Sequence, residues 1–517
     1  MPGAISMGRS VAWLMVAKTV AYVLGFALPL VLVRRLSQSE FGLYKQVFLL
    51  VGSAMTVLPL GFVMSAFYFL PRQLDKQARV AANILVFHVT VGAAACLALL
   101  WHPGILGGIF KDPVLGALSG RLAVLVLLMV AFSFIELLAL AANDVRAASV
   151  FIVLTYSAKT LLLLGAAFWY ASIDAVIYAA LVHGLLQAAL LLWYLHARFP
   201  GFSRALDPAL MRAQLVYALP LGGAAILSMA QSDLHYYFVA HYFDAATYAL
   251  YAVGCFQLPL VAIFSESVGA VAIPAMSRLQ LENRPREIVE LSVRLMRALA
   301  AFYFPIYVFL LVAGREFIAV LFTSRYADSW PIFAVNLTLL PLAILTSVSD
   351  PVLRAYPTYT SLLLRARLLL LGVLVVTVWL GASHGWLLGA ILAVIGVNAA
   401  DRLLLAVVLS RALGVSWRDA ALLKDVGKLS AASIVGGLAA VGTCALLAGA
   451  RPIVVLAGAA VAFAGVYLGA VVAFGVPTAA ERERVRARAG ELRRRWGRPR
   501  PRVVPPVSAP LDAERMS

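Results

Sequence analysis

The sequence predicts an all-α polytopic membrane protein of about fourteen transmembrane helices. Two six-helix lobes, related by a pseudo-two-fold axis, are followed by two extra C-terminal helices. Three observations predict this: an excess of apolar residues, the division of the chain into apolar runs of membrane length, and an echo between its two halves.

Of 517 residues, 63% are hydrophobic and only 13% charged, and the mean hydropathy is +0.93. Average soluble domains are about 45–50% apolar and about 25% charged, so a packed aqueous core does not account for the excess, whereas a bilayer does. The net charge of +18 is concentrated in the final tail and in short loops on alternate sides. That distribution suits membrane topology and anionic lipid, and it argues against nucleic acid. Cys96, Cys255 and Cys444 each stand alone in an apolar run, with no metal-ligand or redox spacing.

A span takes about 20 mostly apolar residues. The runs are 11–33, 44–70, 82–101, 119–142, 149–170, 175–197, 213–240, 247–275, 294–314, 329–350, 361–380, 384–411, 426–448 and 452–474. The first is too long for a signal peptide, contains Lys18 and ends in Arg34-Arg35, so it reads as a retained span. Alternating barrel strands are absent, which makes the runs helices.

Lys and Arg collect in one set of loops: Arg72, Lys76 and Arg79; Arg198, Arg204 and Arg212; Arg278, Arg284 and Arg286; Arg354, Arg365 and Arg367; Arg418 and Lys424. The opposite loops at 171–174, 241–246 and 381–384 carry none. The positive-inside rule then predicts both termini in the cytoplasm. Arg34, Arg35, Arg315, Arg325 and Arg451 fall on the outer side and break the pattern. Residues 276–293 read as a short amphipathic cytoplasmic helix, and 315–328 as an interfacial helix on the outer face.

The expected organisation is a cytoplasmic N-terminus (1–10), a first lobe (11–197), a cytoplasmic linker (198–212), a second lobe (213–411), an added helix pair (426–474) and a basic tail (477–517). The tail reads as a basic helix on anionic inner-leaflet lipid, followed by disorder. The lobes rest on an echo. RRLSQSEFGLY at 34–44 matches HYFDAATYALY at 241–251, pairing Leu36 with Phe243, Ser37 with Asp244, Phe41 with Tyr248, Leu43 with Leu250 and Tyr44 with Tyr251. The second span of each half also meets a proline near its inner end, Pro71 and Pro274. Parallel six-helix repeats are a known transporter plan, with substrate between the halves.

RRLSQSEFGLYKQ after the first span, AIPAMSRL closing the eighth and the fourteen spans resemble the polysaccharide-exporter branch of the multidrug/oligosaccharidyl-lipid/polysaccharide flippase superfamily. The resemblance covers roughly residues 1–475. It implies a V-shaped bacterial inner-membrane transporter working by alternating access. Its expected cargo is an isoprenoid-pyrophosphate-linked oligosaccharide, moved to the outer leaflet for O-antigen, lipopolysaccharide or exopolysaccharide synthesis. Glycosyltransferases and a glycan polymerase are the partners it suggests. The alternatives are a cation-coupled exporter of small amphiphiles and a membrane glycan-processing enzyme. No nucleotide-binding loop, hydrolase elbow or metal motif is present, so no catalytic residue, metal or cofactor is expected.

Ionisable groups at membrane depth cost about 2.5–3.5 kcal/mol each on insertion scales and so need a reason. Lys159, mid-span, reads either as a structural partner of Glu136 or as a cavity cation for pyrophosphate. Lys18 either snorkels to the inner interface or lines the cavity. Arg34 and Arg35 are an interfacial anchor or a gate for an anionic head group, for which the guanidinium fork suits phosphate. Asp233, in the polar stretch SMAQSDLHYYFVAHYF, and Glu266 are candidates for proton or cation coupling, with interhelical pairing as the plainer role for both. Asp401-Arg402 beside Asn398 reads as a local polar cluster, and His88 and His183 as packing residues.

Overall fold

Apolar runs in lipid must close their backbone hydrogen bonds internally, and among the described residues every regular element is helical. The computed structural model describes residues 3–477 and 483. A first set of helices comprises α1 (Gly3–Arg35), α2 (Gln38–Val57), α3 (Ser65–Arg72), α4 (Gln77–Trp101), α5 (Gly104–Phe110), α6 (Pro113–Ala117), α7 (Ser119–Phe132), α8 (Ile135–Ala141), α9 (Val145–Tyr170) and α10 (Ile173–Arg198). A second set comprises α11 (Pro208–Tyr242), α12 (Ala245–Gly254), α13 (Pro259–Leu281), α14 (Pro285–Phe322), α15 (Trp330–Asn336), α16 (Leu339–Ala355), α17 (Thr360–Ser383) and α18 (Leu387–Ala412). The last two helices, α19 (Lys424–Leu446) and α20 (Pro452–Ala473), pack on each other and on α14 through Ala313, Ala440, Ala459 and Phe463.

Among the described residues eleven helices are long and apolar enough to cross a membrane, and thirteen if each of two bent pairs is one span. The chain is a multi-pass membrane protein. The remaining expected span, 247–275, corresponds to α12 and α13, which are separated at Cys255–Leu258.

Several spans expected to be continuous are broken. The run 44–70 is α2 and α3, bent by 48°, with Leu60 and Gly61 at positive φ in the break. The run 119–142 breaks at Ser133–Phe134, and 329–350 breaks between α15 and α16 with a 40° bend. The second and fourth spans of each set are therefore the interrupted ones. Pro71 and Pro274 do not mark these breaks. They lie inside α3 and α13.

Neither expected amphipathic helix exists as a separate element. Residues 276–293 are the end of α13 and the start of α14, joined by a turn at Glu282–Arg284. Asn283 takes φ 54° there, and Pro285 opens the next helix at its first position. Residues 315–322 continue α14 past a kink at Ala313 (φ −103°, ψ 18°). A 3₁₀ turn, Ser324–Ser329, follows. Arg365 and Arg367, expected in a loop, lie within α17. The basic tail beyond residue 477, apart from residue 483, falls outside the described residues.

The echo seen in the sequence is a shared helix start. Ser37 (φ −63°, ψ 164°) and Asp244 (φ −68°, ψ 166°) are the N-caps of α2 and α12. Ser37 forms a capping box with Glu40, and the Asp244 carboxylate accepts from the Thr247 N–H. Phe41, Tyr44, Tyr248 and Tyr251 are all buried. The two helices pack directly on each other, and Gly42 is what lets them do so: a Cβ there would lie 1.8 Å from the Ala245 carbonyl oxygen.

Core packing distinguishes the two ends of the molecule. At the hairpin end, where α1 meets α2 and α11 meets α12, one buried cluster runs through both sets, from Leu32, Phe41 and Ile177 to Tyr248, Phe333 and Ile391. At the other end, where α1 begins, the core divides. One cluster surrounds Phe62, Ile84 and Leu195 in the first set, and another surrounds Met276, Leu299 and Leu405 in the second. Leu210 and Ala218 from the start of α11 belong to the first-set cluster. Its polar attachments are buried too. Asn83 Nδ2 donates to Gln214 Oε1 and to the Asp207 carbonyl, both at 2.9 Å, and Gln214 donates to Ser65 Oγ at 3.1 Å.

Candidate functional site

A core that is continuous at one end and split at the other leaves the space between the sets as the place for a site. Of the first set, α1 meets α14 and α2 meets α11 and α12. On α1, Lys18 is one turn from Tyr22, whose hydroxyl donates to the Pro259 carbonyl at 3.4 Å. One turn further, Phe26 meets Phe256 with ring centroids 5.9 Å apart. The spacing of 18, 22 and 26 puts Lys18 on the face of α1 turned to the second set. Lys18 is exposed, and its charge acts on Glu136 of α8.

On α2, Lys45, Phe48, Gly52 and Met55 form one stripe by their three- and four-residue spacing. Gly52 and Met55 are exposed, and Lys45 and Phe48 half-buried. Lys159 of α9 lies against this stripe, its Nζ 5.1 Å from the Phe48 ring centroid. No carboxylate lies within 4.0 Å of Lys18, Lys45 or Lys159 among the described residues. The Glu136–Lys159 pair is therefore not formed. The charge acting on Glu136 is that of Lys18, and Lys159 instead neighbours Phe48 and His183.

At the hairpin end Arg34 and Arg325 join the two sets. Arg34 donates through Nη2 to the Val320 carbonyl of α14 at 2.8 Å and through Nη1 to the Leu30 carbonyl. Arg325 returns the contact, donating to the Val33 carbonyl of α1 at 3.4 Å. Arg35 stacks on the Phe168 ring at 4.0 Å. Trp379 donates to the Tyr242 hydroxyl at 3.2 Å, and His241 Nδ1 donates to the Ile109 carbonyl at 2.8 Å.

The second set presents acids and hydroxyls. Asp233 of α11 is half-buried, and its charge acts on Tyr236 and Tyr237 of its own helix and on Tyr248 of α12. Two residues on, His235 faces elsewhere, with Nδ1 2.8 Å from the Tyr251 hydroxyl. Glu266 lies on an exposed stripe of α13 with Ile263, Ser267 and Ala270. Its neighbour Ser265 is bonded to Tyr303 and Ser347.

Sequence reasoning missed Lys45, the buried Gln46 beside it, and a charged group inside the second set. In that group Arg367 grips Asp401 with Nε at 3.1 Å and Nη2 at 3.4 Å. Arg402 caps the Leu339 carbonyl at the α15–α16 break, and the Asp350 carboxylate lies within electrostatic reach of both arginines. Asp401-Arg402 is thus one part of a wider group. The missed signal was Arg367, which was grouped with the loop charges although it falls within the apolar run 361–380.

The sequence profile of a family described as polysaccharide biosynthesis protein matches residues 31–331, more than half of the chain. The chain belongs to this family. No curated protein matches it by sequence. Among solved structures, the lipid II flippase MurJ in an inward closed conformation is similar, with TM-score 0.63 and 15% identity over 89% of this chain and 98% of that one. An inward-facing multidrug resistance transporter of the multidrug and toxin extrusion family gives 0.58 and 12% over 80% and 99%. A transporter of the same superfamily from Pyrococcus furiosus gives 0.52 and 12% over 78% and 94%. At these identities the likeness establishes the fold, which these transporters share.

Proposed function

We propose that the protein is a flippase for an isoprenoid-pyrophosphate-linked oligosaccharide, moving it from the inner to the outer leaflet for cell-surface or exopolysaccharide synthesis. The observation that carries this reading is the set of three lysines, Lys18, Lys45 and Lys159. Lys18 lies on the face of α1 turned to the second set, Lys45 and Lys159 lie along the Phe48 stripe of α2, and none has a carboxylate within 4.0 Å among the described residues. Uncompensated cations at membrane depth are costly, and a diphosphate head group repays that cost through charge-assisted hydrogen bonds. Membership of a polysaccharide-biosynthesis family supports a glycan as the cargo. The similarity to a solved lipid II flippase supports a lipid carrier.

The reading includes two lobes, 11–197 and 213–411, that rock about their shared hairpin-end core. It places the bacterial inner membrane around them, both termini in the cytoplasm, and the split end of the core facing the cytoplasm. Asp233 is the coupling residue in this scheme; Glu266, exposed on α13, and Glu136, under the charge of Lys18, are not. Arg34 and Arg35 serve the gate rather than the head group. Anionic lipids, glycosyltransferases and a polymerase are the proposed partners.

In proteoliposomes carrying a fluorescent lipid-linked oligosaccharide, Lys159→Ala is expected to slow flipping by roughly ten- to a hundredfold. That is the factor given by one charged hydrogen bond of about 1.5–3 kcal/mol. Lys159→Arg keeps most of the rate. Unchanged flipping by a folded Lys159→Ala protein removes the lysine from the site. Transport of cationic dyes in place of the lipid favours the exporter of small amphiphiles instead, a reading in line with the multidrug resistance named for a transporter of the same fold.

A further inference from the structure

Gln46 is 1% exposed, and neither its amide nitrogen nor its amide oxygen has a protein hydrogen-bond partner. A buried amide left unpaired in this way costs about 1–3 kcal/mol unless water or another small polar species meets it. Its position explains what it is for. Gly42, Gln46, Leu49 and Ser53 lie four, three and four residues apart, on one stripe of α2. That stripe faces the second set: Gly42 touches the Ala245 carbonyl, and the Leu49 carbonyl accepts from the Tyr237 hydroxyl at 3.5 Å. Ser53 Oγ is also buried, without a partner of full hydrogen-bond geometry, and lies beside the Tyr237 hydroxyl. Tyr237 is one helical turn from Asp233. At the other end of the stripe Gln38 is half-buried at the hairpin end and donates to the Ala246 carbonyl at 3.4 Å.

We propose that this seam between α2 and the α11–α12 pair is a proton path joining water at the hairpin end to the Asp233 carboxylate. It operates while the same end is closed to anything larger. The proposal rests on the reading of Asp233 as the coupling residue and deepens it, naming the proton as the coupling species and its side of entry. A proton passes from water at the Gln46 amide, through water beside the Leu49 carbonyl, to the Ser53 and Tyr237 hydroxyls. Each hydroxyl hands on its own proton as it accepts the incoming one, so only the Asp233 carboxylate changes state. The ionisable groups facing Asp233 are Tyr236 and Tyr237 on α11 and Tyr248 on α12. From α2 the Ser53 hydroxyl meets Tyr237, and from α17 Arg367 meets α11 through its carbonyl, which accepts from Gln231, while its charge is taken up by Asp401. No basic side chain lies within 4.0 Å of Asp233 among the described residues, and the buried Gln46 amide with the Ser53 and Tyr237 hydroxyls makes a relay suited to a proton.

The test uses the full chain in vesicles oriented with the hairpin end outward, and follows the infrared carbonyl band of protonated carboxyl groups after a pH step on one side. A band absent from Asp233→Asn identifies the residue. Stepping the outer pH is expected to drive that band. Gln46→Leu and Ser53→Ala should each slow it by about tenfold or more, a rise of about 1.4 kcal/mol in the barrier. Gln46→Leu should also melt at the same or a higher temperature, since it removes an unpaired buried amide, whereas loss of a purely structural contact would lower the melting point. Wild-type rates in both variants overturn the path and leave Asp233 standing, as does a band that follows only the pH on the opposite side. A band that survives Asp233→Asn unchanged overturns the coupling residue itself and the path with it.

Discussion

Ser37 and Asp244 occupy the same place in the two helix sets, yet they cap their helices with different chemistry. A hydroxyl cap does not titrate in the physiological range. The Asp244 carboxyl is held below the usual carboxylate range by its hydrogen bonds from the Thr247 side chain and backbone. A depressed folded-state value means that the stabilisation is present above the unfolded pKa of about 3.9 and is lost as the pH falls through the folded value. Melting of the purified protein below about pH 4 should therefore fall less steeply in Asp244→Ser than in the wild type. Ser37→Ala should lower stability by about 0.5–2 kcal/mol at every pH. Scanning fluorimetry in detergent across a pH series checks both. An unchanged acid slope in Asp244→Ser would show that other carboxylates dominate. One of these is Asp207, held low chiefly by the Leu210 N–H and then by Arg79.

At the scale of elements, the sequence announced the helices but not their interruptions. Apolar runs mark where a chain can lie in lipid, and a broken pair such as α2–α3 is as apolar as a straight helix. Hydropathy therefore cannot separate them. The local signal at this break was Pro59-Leu60-Gly61, where glycine tolerates the positive φ. Pro71 and Pro274, near the inner ends of the second spans, sit inside helices. The sequence boundary near residue 314 was physically real but proved to be a kink, where the absent side chain of Gly314 makes room for Trp330. The site was legible where one residue type is anomalous in lipid, as with Lys18, Lys159 and Asp233. It was illegible where the meaning depends on which face of a helix is covered, as with Lys45 and Gln46. The α2–α12 contact shows how much one such face controls. Gly42→Leu places a side chain where the Ala245 carbonyl lies, and overpacking of this kind typically costs about 1–3 kcal/mol. The expected result is a separated hairpin end, read as increased spin-label distance between positions near the starts of α2 and α12. An unchanged distance would mean that the two helices slide past each other instead.

For the whole molecule, the question is what holds the hairpin end shut. Two contributions differ in kind. The continuous core from Leu32 to Ile391 is apolar and sequesters area. Arg34 and Arg325 reach across the α1–α14 boundary in opposite directions, each to the other side's backbone carbonyl. A hydrogen bond from a charged donor is worth about 1.5–3 kcal/mol. Removing both should then shift the balance toward the hairpin-open state by roughly a hundredfold or more, while the core limits how far the shift goes. Cys255 offers a built-in reporter, because it is 4% exposed at the α12–α13 break within that core. With Cys96 and Cys444 replaced by alanine, a membrane-impermeant maleimide applied at the hairpin side should label Cys255 faster in Arg34→Ala than in the parent, and faster again in the double variant with Arg325→Ala. Flipping should slow in the same order, since a transporter held open on one side returns slowly to the other. If labelling of the folded double variant matched the parent, closure would rest on apolar burial alone, and the crossed arginines would be anchors to the membrane surface.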